Sequence, residues 1–172
     1  MSAAGDWPYL PATDMPRFLR DMAAFVELDE ADVALIRRTA PAVLAREEEL
    51  TGAVYEHFLR FPFSARFFLG PDGEPDEARL ARRRHSLARW LRGAVEAAMT
   101  PEPAYALLTI GLAHSHRPSG TVPSHLMVGA MSLLQTALAR ILGEALDDPR
   151  AALDASVAWN KWLLVQLAAL QL

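Results

Sequence analysis

Apolar residues return at three- and four-residue steps through almost every stretch that proline and glycine leave uninterrupted, which predicts a stack of helices joined by short links. Phe18, Leu19, Met22 and Phe25 mark a first short helix over Pro16 to Val26. Asp29 reads as an N-cap, with Asp32 three residues on and the stripe Val33, Ile36 and Ala40 behind it. Pro41 predicts a kink or break, after which periodicity resumes through Leu44, Leu50, Val54, Phe58 and Leu59 and ends near Pro62. An aromatic-rich stretch, Phe61 to Phe68, leads into the clearest loop, Gly70 to Pro75. Asp76 can cap the next helix, whose apolar positions Leu80, Leu87, Trp90, Leu91 and Val95 oppose Arg82, Arg83, Arg89 and Arg92, read as a solvated face. Thr100-Pro101 starts a helix that carries Tyr105 to about His116. Beyond Pro118-Ser119-Gly120, two long apolar helices are predicted over Pro123 to Leu142 and from Pro149 to the C-terminus.

Composition agrees with an all-α domain: leucine, alanine and arginine dominate, and β-branched residues are sparse. At 172 residues the whole chain, 1–172, reads as one domain with a core of its own. A formal charge of -4 supplies no basic stripe for phosphate backbones, so nucleic acid is not an expected partner. Without cysteine, any metal must be held by nitrogen or oxygen. Residues Met1 to Asp6 lack a signal-peptide pattern, and no apolar run reads as long and charge-free enough for a bilayer, so the expectation is a cytoplasmic protein with no membrane partner.

Candidate chemistry concentrates at the histidines. In a helix, His114 shares the stripe of Ile110 and Leu107 and projects from an apolar face, with Gly111 open to a flat ligand or a neighbouring helix. A neutral imidazole there can ligate iron through one nitrogen while the other donates to an acceptor; it can equally be a core histidine with local partners. His116 lies about 200° round the helix from His114, so the two cannot enter one pocket or chelate zinc together. Tyr55 shares a stripe with Phe58 and Leu59, and a buried hydroxyl needs a partner, which a bound ligand or a backbone carbonyl can supply. Trp90, Trp159 and Trp162 read as core or interface rings.

In order, these segments resemble the globin domains of globin-coupled sensors and their protoglobin and single-domain relatives. The resemblance rests on Leu28-Asp29-Glu30-Ala31-Asp32 through Thr39-Ala40-Pro41, on Val54-Tyr55 leading to Pro62, and on Trp90-Leu91-Arg92-Gly93. Ile110-Gly111-Leu112-Ala113-His114 and the segment from Pro123 to Met131 complete it, over nearly the whole chain. It implies a globin-like helical sandwich with an extra short N-terminal helix. It also implies a haem b whose axial ligand is His114 and whose distal hydrogen-bond donor is Tyr55. The Ile-Gly spacing selects His114; counting back from Gly120 and Pro123 selects His116, the alternative. An extra pair of residues fits more easily in the loop after His116 than inside the ligand-bearing helix, which favours His114.

The resemblance further implies a pocket rim of Phe67 or Phe68, Leu87, Leu91 and Ile110, and a diatomic gas ligand (O2, also NO or CO) at ferrous iron. A phenolic donor would stabilise the partial negative charge that oxygen acquires there. Homodimerisation is expected through the last two helices, by Leu133, Leu134, Leu138, Trp159, Trp162, Leu163 and Leu167, with the output received either by a separate signalling partner or, if this is an excised domain, by an attached module. A haem-free interaction module is the alternative. A haem enzyme, such as a nitric oxide dioxygenase or a peroxidase-like globin, is disfavoured because this chain has no flavin or nicotinamide domain to supply electrons.

Overall fold

The computed structural model describes residues 9–99 and 123–171. After a 3-10 turn at Pro11–Thr13 come helices α1 (Met15–Phe25), α2 (Glu30–Leu44), α3 (Glu47–Leu59), α4 (Pro62–Ala65), α5 (Glu77–Met99), α6 (Ser124–Ala145) and α7 (Pro149–Leu170). The architecture is all-α, and a single antiparallel bridge between Leu69 and Pro75 is the only β pairing among the described residues. The helix expected over Tyr105 to His116 lies outside them.

Local sequence sets the helix boundaries. The Asp29 side chain accepts from the Asp32 amide at 2.8 Å while Asp32 accepts from the Asp29 amide at 3.2 Å, a reciprocal cap that starts α2. Just before it, Glu27 adopts a left-handed conformation with φ 56°, which turns the chain sharply out of α1. Pro41 does not break α2 where expected: the helix continues to Leu44 because Ile36, Ala40 and Val43 are all buried, and that burial outweighs one missing N–H. The break falls at Ala45 and Arg46 instead. Three residues, Leu146 to Asp148, join α6 and α7 into a helical hairpin.

The central core gathers Ile36 and Val43 of α2, Leu50 of α3, Trp90, Leu91 and Val95 of α5, and the inner faces of α6 and α7. Trp159 lies fully inside it and donates its indole N–H to the Thr39 hydroxyl at 2.8 Å, and that hydroxyl donates onward to the Leu35 carbonyl at 2.8 Å. Lys161 clasps α7 to the start of α2, reaching the Glu27 carbonyl and the Asp32 carboxylate, each at 2.8 Å. Glu47 at the head of α3 receives Arg92 of α5, with one contact at 2.7 Å, and Arg46 bridges to Glu144 of α6. The N-terminal helix α1 docks Met15 and Phe18 against Ala169 of α7.

By length and composition α6 could cross a membrane, contrary to the sequence expectation. Here it serves a protein core: Met131, Leu134, Leu138, Ile141 and Leu142 are buried, while Ser132, Thr136, Arg140 and Glu144 are exposed.

Candidate functional site

A second, smaller apolar cluster is built from the end of α3, the aromatic segment after it and the first half of α5. Val54, Phe58, Phe68 and Leu80 form its centre, with Tyr55, Leu59, Phe67 and Leu87 around them and Leu126, Ala130 and Leu133 of α6 closing one side. The aromatic segment folds back because Ser64 donates its hydroxyl to the Phe58 carbonyl at 2.6 Å at the α3–α4 corner. Arg79 then holds it to α5 through the Phe67 and Leu69 carbonyls, each at 3.3 Å. The loop from Gly70 closes by the Gly70 amide donating to the Glu74 carbonyl at 2.7 Å and the Asp76 amide to that of Phe68 at 2.8 Å. Gly73 takes φ 82°, a left-handed conformation that makes glycine the favoured residue in the tight return. Asp76 caps α5, accepting from the Arg79 amide at 2.8 Å, as expected.

Tyr55 projects into this cluster. Its ring meets Phe68 edge-on at 5.5 Å and tilts against Phe58 at 6.3 Å, and its hydroxyl donates to the Arg83 carbonyl at 3.1 Å. Burial pushes the phenol up to about 12, partly offset by the charges of Arg83 and Arg84. The hydroxyl is therefore a neutral donor throughout the physiological range.

Of the residues expected at a cofactor pocket, the fold brings Tyr55, Phe67, Phe68 and Leu87 together. Leu91, a turn further along α5, is fully buried in the central core instead, and Leu87 packs against both clusters. His114, His116 and Ile110 lie outside the described residues. Among the described residues no three His, Cys, Asp or Glu side chains gather as a metal site. His57 stacks near Phe61 at 5.1 Å, and His85 and His125 are exposed.

The arginine face of α5 needs correction. Arg82, Arg89 and Arg92 are exposed as expected, but Arg83 is half-buried, and so is its neighbour Arg84. Arg84 stands four residues after Leu80, three before Leu87 and seven before Leu91, on the interior stripe of the helix. Its Nε is inaccessible to solvent and has no hydrogen-bond partner among the described residues. That spacing was the available signal; the run of arginines obscured it.

The residues expected to pair α6 and α7 with a second copy also need correction. Leu134, Leu138, Trp159, Leu163 and Leu167 are buried within the chain's own core, Leu133 packs in the smaller cluster, and Trp162 donates its indole N–H to the Ala94 carbonyl at 2.9 Å. The outward apolar side chains are Val128 on α6 and Leu153, Val157 and Leu164 on α7. Between the helices runs an open groove lined by Ser132, Gln135, Thr136, Ala139, Ser156, Val157 and Asn160.

The helical layout is that of a globin. Similar solved structures include the globin domain of a Geobacter sulfurreducens globin-coupled sensor, at TM-score 0.71 and 19% identity over 88% of this chain and 94% of that one. The ferric form of the E. coli DosC globin domain matches at TM-score 0.69 and 11% identity, over 90% of this chain and 98% of that one. Its ferrous form matches at TM-score 0.68 and 14% identity, over 90% and 97%. No curated protein sequence matches the chain. The Protoglobin family profile matches residues 16–170, nearly the full length, and the chain belongs to that family.

Proposed function

We propose that this protein is a haem-binding, sensor-type globin that reversibly binds a diatomic gas at ferrous iron. The observation that carries the reading is Tyr55: a neutral phenol held among Phe58, Phe68, Leu80 and Leu87, with its hydroxyl on the α5 backbone. Such a group suits the distal side of a haem b, where a fixed donor in apolar surroundings favours a ligand that gains negative charge. Membership of the Protoglobin family supports the cofactor.

The described residues fit half of a haem site. Phe68 and Leu87 offer apolar surface of the kind a porphyrin needs, Phe67 borders it, and Tyr55 supplies a polar group among them. His114, or His116 in its place, is the proposed axial ligand. When bound, haem supplies an iron at which O2, NO or CO coordinates reversibly. Around it, the Tyr55 hydroxyl orients and stabilises the gas, and the aromatic segment excludes water.

The reading is one of binding rather than turnover. Its output would pass through α6 and α7, which we propose pair with those of a second copy through Val128, Leu153, Val157 and Leu164, and on to a signalling module. An exposed apolar row on two adjacent antiparallel helices can meet itself across a twofold axis.

An absorbance scan of the purified chain, before and after hemin addition, tests the cofactor. A strong Soret band that shifts with CO on reduction is the expected result. Failure to take up hemin overturns the reading and leaves a haem-free interaction module. His114→Ala should abolish the five-coordinate ferrous spectrum while His116→Ala preserves it; the reverse outcome transfers the ligand to His116.

A further inference from the structure

We propose that Arg84, together with Tyr55, forms an anion site on the distal wall, so that an anionic oxygen in the pocket pairs with the guanidinium. The inference rests on the haem reading and adds a charge preference to it. The Arg84 backbone follows the carbonyl that receives the Tyr55 hydroxyl, and its side chain leaves α5 on the stripe of Leu80 and Leu87 that faces the aromatic cluster. A guanidinium stays charged at any physiological pH, and a buried N–H without an acceptor leaves its desolvation cost uncompensated.

Among the described residues Arg84 pairs with no carboxylate, unlike Arg79, held by Asp76, and Arg92, held by Glu47. Its Nε, shielded from solvent, has no hydrogen-bond partner among the described residues. Its charge is felt at the Tyr55 hydroxyl, where it opposes the effect of burial. The phenol offers one O–H and the guanidinium several N–H donors, with no competing carboxylate between them among the described residues. That donor set matches a small oxyanion or a carboxylate rather than a neutral gas alone.

Two sources can supply the anionic oxygen: an anionic ligand of the iron, or a carboxylate of the cofactor's own edge. Nitrite titration of the ferric haem-loaded chain, followed by the Soret shift, examines the first, with CO binding to the ferrous chain as the uncharged control. Arg84→Met should weaken nitrite about tenfold or more and leave CO within about twofold. For the second source, Arg84→Met should weaken hemin by a similar factor and leave hemin dimethyl ester, which lacks the carboxylates, unaffected. Arg84→Lys should recover part of whichever effect is found, and circular dichroism should show both variants folded. Either pattern supports the anion site and names its occupant. Nitrite, hemin and ester affinities all unmoved by Arg84→Met overturn it while the haem reading stands, whereas a wild-type chain that takes up no hemin overturns both.

Discussion

Tyr55 and Arg83 are joined across α3 and α5 by a hydrogen bond from the phenolic hydroxyl to the main-chain carbonyl, 3.1 Å long. Inside an α-helix that carbonyl already has the amide four residues on as a donor, so the phenol is a second donor to it. The hydroxyl can rotate towards another acceptor without leaving a buried carbonyl unpaired. Tyr55→Phe should therefore cost no more than about 1 kcal/mol in thermal unfolding. Oxygen release from the ferrous haem-loaded protein should quicken by roughly 10- to 100-fold, the worth of a hydrogen bond to a charged acceptor. Stopped-flow measurement with an unchanged off-rate would remove Tyr55 from the ligand's surroundings.

The same phenol makes an alkaline prediction. Its folded value, about 12, lies above the ordinary 10, because burial penalises the phenolate. A raised value means that the folded state keeps its proton while the unfolded chain gives its own up. The stabilisation is therefore fully present below pH 10 and is lost as pH rises towards 12. Unfolding in denaturant between pH 9 and pH 12 should show this loss, and Tyr55→Phe should flatten the part due to this residue, on the order of 2 kcal/mol. Equal slopes in the two proteins would show that the phenol ionises as freely in the fold as outside it.

Much of this layout was legible in the chain because it is local. The Asp29–Asp32 cap, the Asp76 cap and the loop at Gly70 to Pro75 are written in adjacent residues, and periodicity located the long helices. What misled was anything decided by a partner distant in sequence. Pro41 looked like a break because the burial holding its helix together comes from other helices. Leu134, Leu138 and Leu163 looked free to meet a second copy because a stripe says which side is apolar, not what covers it. Tyr55 was legible as a residue needing a partner, but Arg84 was not, since its place on the inner stripe is hidden by arginines on both sides.

One buried polar link between α2 and α7 runs through a hydroxyl. Thr39 accepts the Trp159 indole N–H and donates to the Leu35 carbonyl, so Thr39→Val keeps the shape but leaves a buried N–H without an acceptor. A loss of about 1–3 kcal/mol is expected, read as a lower unfolding temperature, whereas Thr39→Ser should retain most of the stability. Equal losses in the two variants would assign the role of Thr39 to its methyl group.

The outward face of α6 and α7 separates assembly from folding. Val157 is exposed and borders the groove, so Val157→Asp should leave the unfolding temperature nearly unchanged while shifting gel filtration from dimer to monomer. Leu163, fully buried a turn and a half along the same helix, behaves oppositely: Leu163→Ala should cost about 2–5 kcal/mol through the cavity it leaves. A wild-type chain that runs as a monomer at micromolar concentration counts against pairing through this face.

Gln166 carries the last prediction. It is fully buried in α7, between Val165 and Leu167, and neither the oxygen nor the nitrogen of its carboxamide has a hydrogen-bond partner among the described residues. Removing such a group from water without replacing its hydrogen bonds costs about 1–3 kcal/mol for each polar group left unpaired. Methionine is unbranched, of similar length and free of that cost. Gln166→Met should therefore raise the stability of the cofactor-free chain by roughly 1–3 kcal/mol, measured by denaturant unfolding. A buried water bridging the carboxamide would reverse the sign, since the substitution would then expel a satisfied solvent molecule. A stability loss in Gln166→Met would thus identify Gln166 as the anchor of an internal water rather than an unpaired group.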